Sequence, residues 1–199
     1  MKRRMVHLFA ALLSMMALTV AGSAFAGPPT DVLKAKQTAA LDLLKQTGPE
    51  NQKKIDALFD ELLDYQALTE GSLGTEWANR SDSEKAQFAD LLKQLVRNSY
   101  QKNLKKISDF NVNYLGEDTV DGAVVVNTQS KPTSARDEPV DINFKMAAKD
   151  GKWKVQDIVT EGASLVSSYR SQFTKIIKKD GFGKVIEKMK DKLAKGDSK

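Results

Sequence analysis

The side chains most often used for chemistry are nearly missing from this sequence. It has no cysteine, and its single histidine, His7, lies in an N-terminal stretch with the character of a cleavable leader. Without them there is no thiol nucleophile, no imidazole base, no disulfide and no usual zinc or copper ligand set. What remains is carboxylate pairs, serine with lysine, or a hard cation held by oxygen. The acidic run Glu117-Asp118-Thr119-Val120-Asp121-Gly122 lacks the ligand spacing of a calcium loop. The other acids are scattered over helix surfaces and turns. The expectation is a protein that is not an enzyme and carries neither metal nor cofactor.

Bulky apolar side chains at regular spacing suggest a different kind of site. After the strand-like "DIVTEG", Leu165, Tyr169, Phe173, Ile176 and Ile177 recur at helical intervals. Tyr65, Trp77, Phe88 and Tyr100 occupy comparable positions in earlier helical segments, and Phe110, Tyr114, Phe144 and Trp153 occur in strand-like ones. Core packing accounts for such stripes. Large side chains on facing layers can also prop those layers apart and leave a slot for something apolar, so both readings stand at this level.

The elements that would position these residues follow from periodicity. Residues 1–26 combine Lys2, Arg3 and Arg4, an apolar run and the small-residue pattern Ala24-Phe25-Ala26, which predicts a secretory signal peptide cut after Ala26. No later stretch is long and apolar enough to span a bilayer. Residues 27–199 are then expected to form one domain. Loss of the three leader cations lowers the formal charge from +5 to +2. Residues 163–199 hold ten Lys or Arg against four Asp or Glu. Such a basic segment suits an anionic membrane, nucleic acid or an acidic partner, and export argues against nucleic acid.

Helices are predicted over Thr30–Gln46, from a capping box at Thr47 and Glu50 through Leu63, and over residues 82–107 after a second box at Ser81 and Glu84. Between them lies a broken helical stretch with Gly71 and Gly74, candidate hinges together with Gly162. From Asp109 the period changes to two, predicting four strands joined by short polar turns at Gly122 and Gly151. A helix over Ser164–Lys179, a stop at Asp180-Gly181 and an amphipathic helix over Phe182–Lys195 follow. In the last, Phe182, Val185, Ile186, Met189 and Leu193 face one side, and Lys184, Lys188, Lys190, Lys192 and Lys195 the other. The expected fold is α+β, a twisted four-stranded antiparallel meander covered by helices, with a deep apolar cavity between the two.

Beyond these patterns, the stretches "LGTEWANRSDSEKAQFADLLKQLVRNSYQKNL", "VDINFKM" and "GKWKVQDIVTEGASLVSSYRSQFTKIIKKDGFGKVIEKMKDKL" resemble the periplasmic phospholipid-carrier family of the Mla system, also called the toluene-tolerance auxiliary component. The likeness covers nearly all of residues 30–195, and its most specific part runs from Trp153 to Leu165. It implies a monomeric periplasmic shuttle that takes phospholipid between an outer-membrane lipoprotein complex and an inner-membrane ABC transporter. The family offers no catalytic residues, and the lipid is gripped through its tails. The candidate lipid-binding residues, drawn from the apolar faces, are therefore Tyr65, Leu68, Leu73 and Trp77, then Phe88, Leu91, Leu92, Leu95, Val96 and Tyr100. The strands contribute Phe110, Val112, Tyr114, Val140, Ile142, Phe144, Met146, Val155 and Val159, and the following helix Leu165, Val166, Tyr169, Phe173 and Ile177. A second possibility is raised by "KDGKW", since a turn and tryptophan of this kind also occur in cone-shaped domains of the nuclear-transport-factor type. Such a domain would bind or convert a small polar ligand in a pocket lined partly by carboxylates.

Overall fold

Four amphipathic strands follow one another with too few residues between them for anything but hairpins. In the computed structural model, which describes residues 28–46, 48–107, 110–132 and 138–196, with backbone alone at 49, 102–107 and 110, they form an antiparallel meander. The strands are β1 (Phe110–Val120), β2 (Ala123–Pro132), β3 (Val140–Lys149) and β4 (Lys152–Thr160). A two-residue strand β5 (Ala163–Ser164) extends the expected four to five, in the order β1-β2-β3-β4-β5. Residues 1–27, which include the expected signal peptide, Thr47 of the first capping box and the stretch 133–137 lie outside the described residues.

Three of the connections are two-residue turns with both central residues at positive φ: Asp121-Gly122, Asp150-Gly151 and Glu161-Gly162. That is the turn whose twist matches the right-handed twist of paired strands, and glycine at its second position carries no Cβ penalty. Paired residues share a face in an antiparallel sheet. Val112, Ser130 and Val140 therefore form one inward row, Thr128, Ile142 and Thr160 another, and Val126, Phe144 and Ile158 a third. A bulge in β4 leaves Gln156 between Val155, opposite Met146, and Asp157, opposite Lys145. The extra residue shifts the alternation, so that Ile158 and Thr160 join Val155 on the inward face while Val159 turns outward.

The helices cover that face in two groups. An antiparallel pair, α1 (Pro29–Leu44) and α2 (Pro49–Leu62), lies over β1, β2 and β4. The helix α3 (Tyr65–Leu73), a 3₁₀ turn over Gly74–Asn79, and the helices α4 (Asp82–Ile107), α5 (Leu165–Asp180) and α6 (Phe182–Gly196) pack among themselves and against the β4 end. Asp64 caps α3 by accepting from the Ala67 N–H. Ser81 and Glu84 form the expected capping box, with the Ser81 N–H donating to Glu84 Oε2 at 2.8 Å and the Glu84 N–H to Ser81 Oγ at 3.3 Å. The α5–α6 junction turns at Gly181, whose N–H closes on the Ile177 carbonyl. The α6 face expected to be apolar is buried at Phe182, Val185, Ile186 and Met189, which pins the helix on α4 and leaves its lysines outside.

Phe88 is the centre of this helical group and is fully buried. Its ring meets Phe173 edge-on at 5.3 Å and Phe182 at 6.1 Å. Such geometry aligns positive ring edges with negative faces. Gly71 and Gly74 provide the seat for α5. A Cβ on Gly71 would stand 2.8 Å from Val166 Cγ1, and its carbonyl accepts from Arg170 Nε at 2.7 Å. Both glycines are thus places of close helix approach.

Candidate functional site

Between the α1–α2 pair and the sheet, inside the edges where the layers touch, lies a cavity of about 180 Å³. Its roof is Leu33, Gln37 and Leu41 of α1, one stripe at four-residue spacing, with Leu58, Phe59 and Leu62 of α2. Its floor is Val112, Thr128, Ser130, Ile142, Phe144, Val155, Ile158 and Thr160. Leu63, Tyr100 and Lys36 complete the wall. No carboxylate lines it among the described residues, which is not the pocket expected for a polar-ligand domain of the nuclear-transport-factor type.

The roof is tied down at several points. The Leu63–Val155 bridge, with the Asp64 N–H donating to the Val155 carbonyl at 2.8 Å, sews the end of α2 onto the free edge of β4. Lys149 Nζ holds the buried Asp64 at 3.0 Å. On the other flank Tyr114 of β1 donates its hydroxyl to Gln37, and Thr30 bonds Glu117. Burial pushes the Tyr114 hydroxyl up to about 12. Between α2 and α4, Asp60 receives Arg97 through two nitrogens and Lys93 at 3.0 Å, while Gln101 donates to Asp56 at 2.8 Å. Burial raises the Asp60 carboxyl, but the hydrogen bonds and charges of Arg97 and Lys93 outweigh it and hold the group below its ordinary value.

Tyr100 closes one end of the cavity, stacked on Phe59 with ring centroids 3.4 Å apart. Its hydroxyl is buried without a hydrogen-bond partner. Burial, first, and the charges of neighbouring acids raise its pKa strongly. This wall offers a guest mainly apolar contact, and no group of three His, Cys, Asp or Glu able to hold a metal occurs among the described residues.

The expected site residues divide into those that line the cavity and those that do not, although members of both sets belong to one apolar cluster. Tyr100, Val112, Ile142, Phe144 and Val155 line the cavity. Leu68, Leu73, Phe88, Leu91, Leu92, Leu95, Val96, Met146, Val166 and Phe173 are instead buried in the main core, with Tyr65, Trp77, Tyr114, Tyr169 and Ile177 packed partly buried around it. Val140 and Leu165 are half-buried away from the cavity lining, and Val159 is on the outer face. Phe110 opens β1, and its side chain lies outside the described residues. Sequence reasoning left out the whole roof, although the periodicity of Leu58, Phe59, Leu62 and Leu63 was legible as an apolar face of α2.

The stretch from Trp153 to Leu165 has a structural role. Asp157 accepts from the Val166 N–H at 3.1 Å and from Ser164 Oγ at 2.5 Å, while Ser164 Oγ caps α5 by accepting from the Ser167 N–H at 3.0 Å. This network fixes the direction in which α5 leaves the sheet.

Comparison with known proteins settles the kinship. The family model described as MlaC protein matches residues 31–191. The chain belongs to the MlaC family. A search of curated proteins gave no match. Among solved structures, this MlaC-family chain is similar to the phospholipid-binding protein from Ralstonia solanacearum, solved in complex with a phospholipid. The two share 22% sequence identity with a TM-score of 0.70, over 85% of this chain and 99% of the other. At that identity the likeness establishes the α+β fold, in agreement with the sheet and helices described above. No helix among the described residues is long and apolar enough to cross a membrane.

Proposed function

We propose that this protein is a periplasmic phospholipid carrier that encloses acyl chains between the α1–α2 roof and the sheet. The observation that carries the reading is the unfilled apolar space between those layers, in a family whose structural relative was solved with a phospholipid. A diacyl lipid has about thirty methylenes, so exposing its tails to water would cost on the order of 20 kcal/mol or more, at ~0.8 kcal/mol for each. A carrier must therefore cover them almost completely.

The cavity volume specifies how. A space of about 150 Å³ takes a benzene ring. The 180 Å³ here takes the end of a tail. Admission of a whole lipid then requires the roof to rise from the floor while its polar ties hold the edges. Tails passing from bilayer to pocket exchange one apolar surrounding for another, so the carrier binds reversibly and supplies no direction of its own. Direction comes from its partners, an outer-membrane lipoprotein complex and an inner-membrane ABC transporter, through differing affinity or ATP hydrolysed elsewhere. The carrier works as a monomer without catalytic residues, and export through cleavage after Ala26 brings it to the periplasm.

Native mass spectrometry of protein purified without added lipid tests the reading. The expected spectrum shows the mature chain plus a phospholipid mass that is lost on denaturation. A native mass equal to the polypeptide alone, with no uptake from phospholipid vesicles, refutes it.

A further inference from the structure

Lys36 is the one charged side chain among the described residues that line the cavity. It is about one quarter exposed and its ammonium is paired with Glu61 at the C-terminal end of α2. Glu61 stands among more than one cation. Lys154 Nζ bonds its backbone carbonyl at 3.0 Å, and the charges of Lys152 and Lys154 act on its carboxylate. Lys36 contributes most to holding that carboxyl below its ordinary value, with Lys152 and Lys154 adding smaller effects. Two ammonium groups thus contact this one acidic residue beside an apolar cavity, Lys36 at its carboxylate and Lys154 at its backbone carbonyl.

A lysine paired with a carboxylate at the rim of an apolar cavity has a physical implication. An entirely apolar guest would gain nothing from it and would leave the lysine to be desolvated at a cost. An amphiphile with an anionic head would place its tail in the cavity and its charge at this cluster. We propose that Lys36, assisted by Lys154, is the subsite for the phosphate of the bound lipid, and that Glu61 is the counter-ion the phosphate displaces. The proposal rests on the carrier reading and extends it to the head group. Its chemistry is a phosphodiester monoanion taking over the ammonium hydrogen bond that Glu61 occupies in the structure. Released Glu61, whose side chain is 64% exposed, is solvated by water, so the exchange buries no unpaired charge.

The exchange gives opposite signs to two substitutions on one ion pair. Lys36→Gln removes the phosphate's partner, whereas Glu61→Gln removes the phosphate's competitor. Delipidated full-length mature protein is titrated with lysophosphatidylglycerol and with a monoacylglycerol of the same chain, and circular dichroism checks the fold of each variant. The reading is the ratio of the two affinities. With Lys36 partly exposed and its interaction screened, Lys36→Gln is expected to lower the preference for the phosphate-bearing lipid about five- to tenfold. Glu61→Gln is expected to raise it by about two- to fivefold. Equal ratios for wild type and Lys36→Gln overturn the subsite, as does a fall in both variants, which would mark the pair as purely structural. Inorganic phosphate forms a third arm. If it binds in a Lys36-dependent way while the two lipids are not distinguished, the cluster is a site for free phosphate and the head-group assignment falls. If the wild type takes up neither lipid, the carrier reading fails and the subsite with it.

Discussion

Ser130 offers the sharpest test of where cargo resides. It sits on β2 between Val112 and Val140, is only 3% exposed, and its side chain forms part of the cavity floor. Replacing it by leucine projects a four-carbon side chain into a space of about 180 Å³. Relative to serine, that side chain excludes about three methylenes of a guest, and at ~0.8 kcal/mol each the loss for a tail reaching the floor is about 2.4 kcal/mol. Since 1.4 kcal/mol is a factor of ten, affinity should fall about fiftyfold. Stability moves the other way. Filling a void with apolar atoms adds about 0.5–2 kcal/mol, so delipidated Ser130→Leu should unfold at higher urea than delipidated wild type. Native mass spectrometry after equilibration with phospholipid vesicles measures occupancy, and urea melts followed by tryptophan fluorescence measure stability. A variant that is less stable, yet carries as much lipid as wild type, would show that this space is not where tails go.

Other substitutions separate core from cavity. Phe88→Ala, away from the cavity lining, should cost about 3–5 kcal/mol in urea melts while each folded molecule retains its lipid; lost binding with unchanged stability would reverse the assignment. Tyr100→Phe deletes a buried hydroxyl without a partner and keeps the ring on Phe59, so stability should rise by about 1 kcal/mol in the same assay. Gly71→Ala drives a methyl into Val166 and should cost about 1–3 kcal/mol, with the loss eased by Val166→Ala in the double mutant. For pH, Asp60 has a folded pKa below its ordinary 3.8, so its contribution is present above that value and disappears as pH falls through the lower folded one. Because the pair is partly exposed, the loss should be about 0.5–1 kcal/mol, and Asp60→Asn should remove that part of the acid dependence.

The legible and illegible parts of this site differ in kind. The floor at Val112, Ile142 and Phe144 could be anticipated because a half-buried strand announces its inward face by alternation. Ile158 and Thr160 escaped because Gln156 bulges and moves the pattern by one residue. A single inserted position leaves no mark that alternation can detect. The helical stripe on α5 was real, but Tyr169 and Phe173 spend it on the helical core, with Phe173 against Phe88. The Gly71 and Gly74 pair, readable as hinges, also gives the clearance that lets α5 approach, which its position in the sequence did not reveal.

Composition alone excluded thiol chemistry, and local periodicity determined the helices, the meander and the apolar side of each. These properties depend on residues near one another in the chain. Which apolar sides would meet and which would stand apart was decided only in three dimensions, because the separation of two layers depends on every side chain that props them and every tie that holds their edges. A filled core and a walled cavity draw on the same residue types at the same spacing. The α1–α2 pair became a roof through its contacts with a sheet that begins nearly fifty residues later.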